Sequence, residues 1–232
     1  MKFKEVIFCA IDFSDLKESQ KFLKKVVNHI GGIKIGLEFF LKNGLHGVQE
    51  IKKFGLPIFL DLKLKDIPNT VRKAAENVID LDPQYLSVHL TGGVQMLNKL
   101  ISIKKNTKIL GVSMLTSLDN SDLRSFGIEI DSYQYVENLT NVGLKAGIDG
   151  LVSSALELPD LKRKIKKKII YVTPGIRLPD DNINDQKRII SPGMAVNNGA
   201  SILIIGRTIT ESEEPIETIK KISRNIEECV ES

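Results

Sequence analysis

The sequence holds only two cysteines, Cys9 and Cys229, and neither stands in a spacing used by metal or redox motifs. A disulfide framework is therefore not expected in a chain of 232 residues, and a reducing cytoplasm is the expected compartment. Cys9 falls inside an apolar strand pattern, where it reads as core filler. Histidine is equally sparse, at three residues, and no grouping of His, Asp and Glu has metal-ligand spacing. The chain carries no nucleophile elbow and no glycine fingerprint for a dinucleotide after a strand. No apolar run approaches the length that spans a bilayer, so no membrane association is expected. The opening residues run straight into a short apolar stretch ended by an aspartate. They show neither a long hydrophobic region nor a small-residue cleavage site, and no signal peptide is expected.

A large excess of one charge is also missing. Thirty-three basic residues face 29 acidic ones, a formal net charge of +4. That balance suits an anionic small molecule but not nucleic acid, which calls for a concentrated basic patch. The basic run from Lys162 through Lys168 is broken by Ile165 and followed by a strand pattern. It reads as the solvated end of a helix and its turn.

What is present is alternation. Short aliphatic or β-branched runs at residues 6–11, 33–35, 57–62, 85–90, 108–113, 150–152, 169–172 and 202–205 read as strands buried on both faces. Between them lie longer amphipathic segments. Leu16, Leu23, Val26, Val27 and Ile30 recur at helical spacing, with Lys17, Glu18, Lys21, Lys24 and Lys25 on the outer face. Residues 70–81 and 215–230 repeat the pattern. Ser14 and Asp15 precede the first helix, Asn69 and Thr70 the third, and Gly147 and Gly199 fall where helices should stop. About eight such units predict a single-domain (β/α)8 barrel over residues 1–232, with a doubly wound open sheet as the rival.

In a barrel, the site is built at the C-terminal ends of the strands. Those positions hold Asp12, Lys34, Asp61, Lys63, His89, Thr116, Ser117, Pro174, Arg177, Gly206 and Arg207. Asp61 and Lys63 share one side of their strand, which puts an acid and a base together at the barrel mouth. Lys34, on the adjacent strand, extends the expected pairing to Lys–Asp–Lys. Buried charges are costly unless paired, so such an array is either functional or a stabilising ion-pair network; the spacing alone weighs the two equally. Gly206 and Arg207 after the eighth strand suggest a phosphate grip, against the alternative of an ordinary surface turn. His89 reads as a packed, hydrogen-bonded core residue rather than a catalyst. The inventory points to acid–base and electrostatic chemistry on a phosphorylated molecule, with no metal and no cofactor.

The segment Asp61-Leu62-Lys63-Leu64-Lys65-Asp66-Ile67-Pro68-Asn69-Thr70 resembles the signature of the orotidine 5′-monophosphate decarboxylase family in its bacterial form. The likeness continues in order through Ala10-Ile11-Asp12, Lys34-Ile35-Gly36, Val88-His89, Leu115-Thr116-Ser117, Thr173-Pro174-Gly175-Ile176-Arg177 and Ile205-Gly206-Arg207. It departs at Thr91, where a small alanine is common, and around residues 43–51 and 120–131. These departures touch helices and loops, not the charged array.

The resemblance implies a lyase of pyrimidine biosynthesis that decarboxylates orotidine 5′-monophosphate to UMP as a cytoplasmic homodimer. Lys63 would donate a proton to C6, Asp61 would face the substrate's carboxylate, and Lys34 and Asp66 would complete the array. Asp66, Ile67 and Thr70 would reach the partner's site. Asp12 and Thr70 would hold the ribose hydroxyls, and Thr116 and Ser117 the pyrimidine edge. Pro174 and Arg177 would line the substrate pocket, while Gln186, Gly206 and Arg207 would grip the phosphate. Residues 178–188, which include Gln186, would close over the nucleotide. Two alternatives stay open. One is a magnesium-dependent sugar-phosphate decarboxylase or aldolase on the same barrel, whose members carry an acidic residue where Lys34 stands. The other is a phosphate-binding barrel without chemistry, which would have little use for the costly array.

Overall fold

The computed structural model describes residues 3–179 and 189–231. Eight parallel strands close on themselves in sequential order: β1 (Ile7–Ala10), β2 (Gly32–Ile35), β3 (Ile58–Leu64), β4 (Tyr85–His89), β5 (Lys108–Val112), β6 (Gly150–Val152), β7 (Ile170–Thr173) and β8 (Ile202–Ile205). The helices between them are α1 (Leu16–Val26), α2 (Leu37–Lys52), α3 (Pro68–Ile79), α4 (Gly93–Ile101), α5 (Asn120–Ser125), α6 (Ser132–Ala146), α7 (Leu158–Lys164), α8 (Pro192–Asn197), α9 (Arg207–Thr210) and α10 (Pro215–Glu231). The barrel, not the open sheet, is the architecture. Each strand predicted from its apolar run lies within about two residues of its place.

Two packed regions follow from strand alternation. Outward residues such as Ile7, Cys9, Ile33, Leu60, Leu86 and Leu203 meet the helices in the larger core. Inward residues Phe8, Phe59, Leu110, Val112, Val152, Val172 and Ile202 fill the barrel itself. Gly32 and Gly150 make that filling possible. A Cβ at Gly32 would lie 2.2 Å from the Phe8 ring, and one at Gly150 would lie 2.5 Å from the Ile170 carbonyl oxygen.

Helix boundaries have local causes. The Asp15 carboxylate accepts from the Glu18 backbone N–H at 2.8 Å and caps α1, while Leu23 and Val26 bury its inner face. Gly147 ends α6 in the left-handed region at φ 89°, which glycine adopts without penalty. The third helix begins earlier than Asn69 and Thr70 suggest. Pro68 is its first residue, and both of them lie in its first turn. Proline pre-sets the helical φ and pushes Ile67 before it into an extended conformation, φ −59° and ψ 149°. The basic run behaves as expected: α7 stops at Lys164, Ile165 turns inward, and Lys166, Lys167 and Lys168 are exposed. Among the described residues, no helix is long and apolar enough to cross a membrane.

Candidate active site

A cavity of about 290 Å³ opens at the C-terminal ends of the strands, near the lower end of the usual small-molecule range of roughly 300–1,000 Å³. Its floor is apolar, formed by Phe59, Val112, Val152 and Ile204 from the top of the barrel filling. Its walls carry Asp12, Lys34, Asp61, Lys63, Thr116, Ser117, Pro174, Arg177, Gly206 and Arg207. Ten of the residues singled out from sequence thus converge from β1, β2, β3, β5, β7 and β8 on one cavity. Four cationic side chains face it against two carboxylates, so the described lining is net positive.

The charges are arranged as two pairs. Lys63 Nζ lies 2.7 Å from Asp61 Oδ2, and Lys34 Nζ lies 2.9 Å from Asp12 Oδ1. Lys34 and Asp61 are each 8% exposed, which makes their pairing a condition of their burial. The expected continuous Lys34–Asp61–Lys63 pairing is not formed, because Lys34 turns to Asp12 instead. Register explains how both acids could compete. Lys34 is level with Ala10 on β1 and with Phe59 on β3, so Asp12 and Asp61 each stand two residues beyond it on flanking strands. Asp61 is already occupied, with Oδ2 accepting from Lys63 and Oδ1 from the Ser87 hydroxyl at 2.8 Å. Asp12 is the carboxylate left to accept. Gly36 keeps the space clear, since a Cβ there would lie 2.9 Å from both Asp12 Oδ1 and Lys34 Nζ.

The strand bearing Asp61 and Lys63 is irregular at that point. β3 pairs with β4 as Phe59↔Tyr85 and Leu60↔Leu86, then resumes only at Leu64↔Val88. The loop of extra residues contains Lys63 with φ +48°, a left-handed conformation costing about 1–2 kcal/mol for a residue with a side chain. Such bulges re-aim side chains beside active sites.

Other predicted residues separate from the cavity. Asp66, Ile67 and Thr70 are exposed and do not line it; Ile67 is 68% exposed. The Asp66 carboxylate accepts from the Ile67 backbone N–H at 2.6 Å. His89 is half-buried at the end of β4, and among the described residues its ring makes no hydrogen bond, contrary to expectation. Burial first, then nearby Lys65 and Lys63, holds its imidazole below the ordinary value. Gln186 and residues 180–188 of the expected closing loop lie outside the described residues.

Sequence reasoning passed over several polar residues in the barrel. Ser153 lines the cavity, and its hydroxyl donates to the carboxylate of the buried Glu157. Ser87, fully buried, joins Asp61 to the backbone of Lys63. A signal for Ser87 did exist: it is a small polar residue between the aliphatic Leu86 and Val88 of the strand Tyr85–His89.

The model of the orotidine 5′-phosphate decarboxylase / HUMPS family matches residues 5–222. A protein named orotidine 5′-phosphate decarboxylase from Sphingopyxis alaskensis is 45% identical over 210 residues, covering 90% of this chain and 93% of that protein. One of the same name from Ehrlichia canis is 42% identical over 222 residues, covering 95% and 97%. Among solved structures, orotidine 5′-phosphate decarboxylase from Lactobacillus acidophilus superposes with a TM-score of 0.83 at 29% identity, covering 96% of this chain and 99% of that one.

Proposed function

The chain belongs to the orotidine 5′-phosphate decarboxylase / HUMPS family, and from that premise we propose how its cavity acts. It is a carboxy-lyase that converts orotidine 5′-monophosphate to UMP and carbon dioxide in pyrimidine biosynthesis. We read residues 1–232 as one catalytic barrel working in the cytoplasm. The observation that carries the mechanism is the Asp61–Lys63 pair, held at 2.7 Å beside an apolar floor in a net-positive cavity.

The chemistry asks for such a pair. As the C6–carboxylate bond breaks, its electron pair stays on C6 in the plane of the ring, where the ring π system cannot delocalise it. A fixed ammonium beside C6 stabilises that charge without waiting for solvent to reorganise. The Lys63 Nζ proton then moves to C6, and the amine regains a proton from water. Asp61 faces the substrate's carboxylate, and their repulsion ends when carbon dioxide departs. Lys34 and Asp12 hold the ribose side, Thr116 and Ser117 contact the pyrimidine edge, and Pro174 with Arg177 lines the pocket. Arg207 with Gly206 receives the phosphate after β8, which β1 and β2 separate from β3. Gln186 joins the phosphate grip, and binding energy from that remote group contributes at the reacting end.

The site is completed by a second copy. Asp66, Ile67 and Thr70 are exposed and do not line their own cavity, as residues serving a partner would be. Leu37 and Leu41, one turn apart on α2, are 49% and 79% exposed, apolar surface that suits a subunit interface.

A magnesium-dependent sugar-phosphate enzyme and a non-catalytic binder are the rival readings on the same barrel, and one experiment separates them. EDTA-treated protein is mixed with orotidine 5′-monophosphate, and the ultraviolet absorbance is followed. Rapid substrate loss is expected. Tight UMP binding without loss would identify a binder; turnover of sugar phosphates only on adding magnesium would assign the other branch.

A further inference from the structure

We propose that Ser87 is a positioning residue for the decarboxylation, acting through the Asp61–Lys63 pair; the inference rests on the function proposed above. Ser87 lies on β4 with its side chain inside the barrel, is fully buried, and does not line the cavity. It therefore does not touch substrate. Its single hydroxyl nevertheless ties both members of the pair. The proton is donated to Asp61 Oδ1 at 2.8 Å, while the oxygen accepts from the Lys63 backbone N–H at 2.9 Å.

The bulge makes this second bond necessary. Between Leu60↔Leu86 and Leu64↔Val88, β3 takes four steps where β4 takes two. The Lys63 N–H is thus outside the regular ladder, in a strand whose neighbours are buried. A backbone donor left without a partner there costs as much as a lost hydrogen bond. Ser87 replaces the missing ladder acceptor. At the same time it fixes the rotation of the Asp61 carboxylate, leaving Oδ2 to face Lys63 Nζ at 2.7 Å. A hydroxyl is the group that can do both, since it donates one proton and accepts in two directions. An apolar side chain could fill the space but would release the bulge and the carboxylate together. The left-handed backbone of Lys63, φ +48°, is what this anchoring sustains.

The test compares Ser87→Ala with wild type in turnover, in UMP affinity, and in affinity for a UMP analogue carrying an ionised oxygen at C6. That analogue places negative charge where the carbanion develops. Expected is a loss of roughly 10- to 100-fold in kcat, the range that a hydrogen bond to a charged group commands. The analogue's affinity should fall by a similar factor, while UMP affinity and the KM for substrate stay within about threefold. In a Lys63→Ala background, the Ser87 change should weaken analogue binding by less than about twofold, because the residue it acts through is gone. Wild-type turnover reports separately on the function itself. Active wild type with Ser87→Ala turnover within twofold of it overturns the positioning role and leaves the function standing. So does a parallel fall of kcat, UMP affinity and melting temperature, or an undiminished Ser87 effect without Lys63.

Discussion

Replacing Lys63 by alanine tests the charged array most directly, because it should damage rate and stability by different amounts. An ammonium about 3 Å from a developing full charge, at an effective dielectric of roughly 20, contributes on the order of 5 kcal/mol. That corresponds to about four decades in rate, and losing the proton donor adds roughly two to four more. The kcat should therefore fall by at least about 10,000-fold. Stability changes for another reason. Alanine leaves Asp61, 8% exposed, with Ser87 as its one remaining donor among the described residues. Breaking a buried pair costs roughly 3–5 kcal/mol, but the Lys63 side chain is 29% exposed and water can replace part of it. A loss of about 1–3 kcal/mol is expected, or roughly 3–9 °C in melting temperature for a chain of this size. Both Lys and Ala carry a Cβ, so the strain of φ +48° is common to them and cancels. The double variant Asp61→Asn/Lys63→Ala removes the stranded charge and should regain several degrees over the single one while remaining inactive. Turnover by ultraviolet absorbance and thermal melts by circular dichroism measure both. A kcat loss under about 100-fold, or a double variant less stable than Lys63→Ala, refutes the reasoning.

Gly36→Ala should lower kcat/KM by roughly tenfold or more with little change in melting temperature, since its Cβ would press on the movable tips of Lys34 and Asp12, 2.9 Å away, rather than on backbone. If the site is shared between subunits, Lys63→Ala and Asp66→Ala proteins are each inactive alone. Mixed after co-expression, they should regain roughly a quarter of wild-type activity, because half the dimers hold one intact site of two; no recovery would argue for sites complete within one chain. His89 predicts a pH effect on stability. Its folded imidazole sits below the ordinary 6.5, so the unfolded chain binds the proton more readily. The stabilisation is present above pH 6.5 and is lost as pH falls through the folded value. His89→Asn should make the melting temperature fall less steeply between about pH 7 and 5, and an unchanged slope would contradict the assignment.

The barrel was legible because a strand buried on both faces must be apolar along its whole length, and seven-residue or shorter runs bounded by polar residues stand out. Helix ends were legible where a side chain or a glycine dictates them, as at Asp15 and Gly147. At α3 two start signals competed, and the fixed φ of Pro68 overrode the polar pair that follows it. The site's membership was legible at strand ends, but its pairing was not. Simple alternation places Asp61 and Lys63 on one side, as found, yet says nothing of a bulge that breaks register after Leu60. It also gives Lys34 two acids at equal height. The choice between them depends on the Ser87 hydroxyl on the neighbouring strand β4, a contact that no spacing within one segment reveals.

The imbalance of charge in the cavity bears on why a second subunit would take part. Lys34, Lys63, Arg177 and Arg207 face it with only Asp12 and Asp61 from the described lining in return. That lining complements the anions that arrive with substrate, phosphate at one end and carboxylate at the other. The carboxylate leaves during the reaction, however, and the phosphate stays. In the proposed dimer, Asp66 from a second copy would add a third carboxylate beside the Lys34–Asp12 and Lys63–Asp61 pairs already formed within the chain. Placing that acid on an exposed turn before α3, rather than within the barrel, spares each chain the burden of folding with three carboxylates crowded at one strand end. On this reasoning, formation of the proposed dimer and assembly of the complete charge array would be the same event.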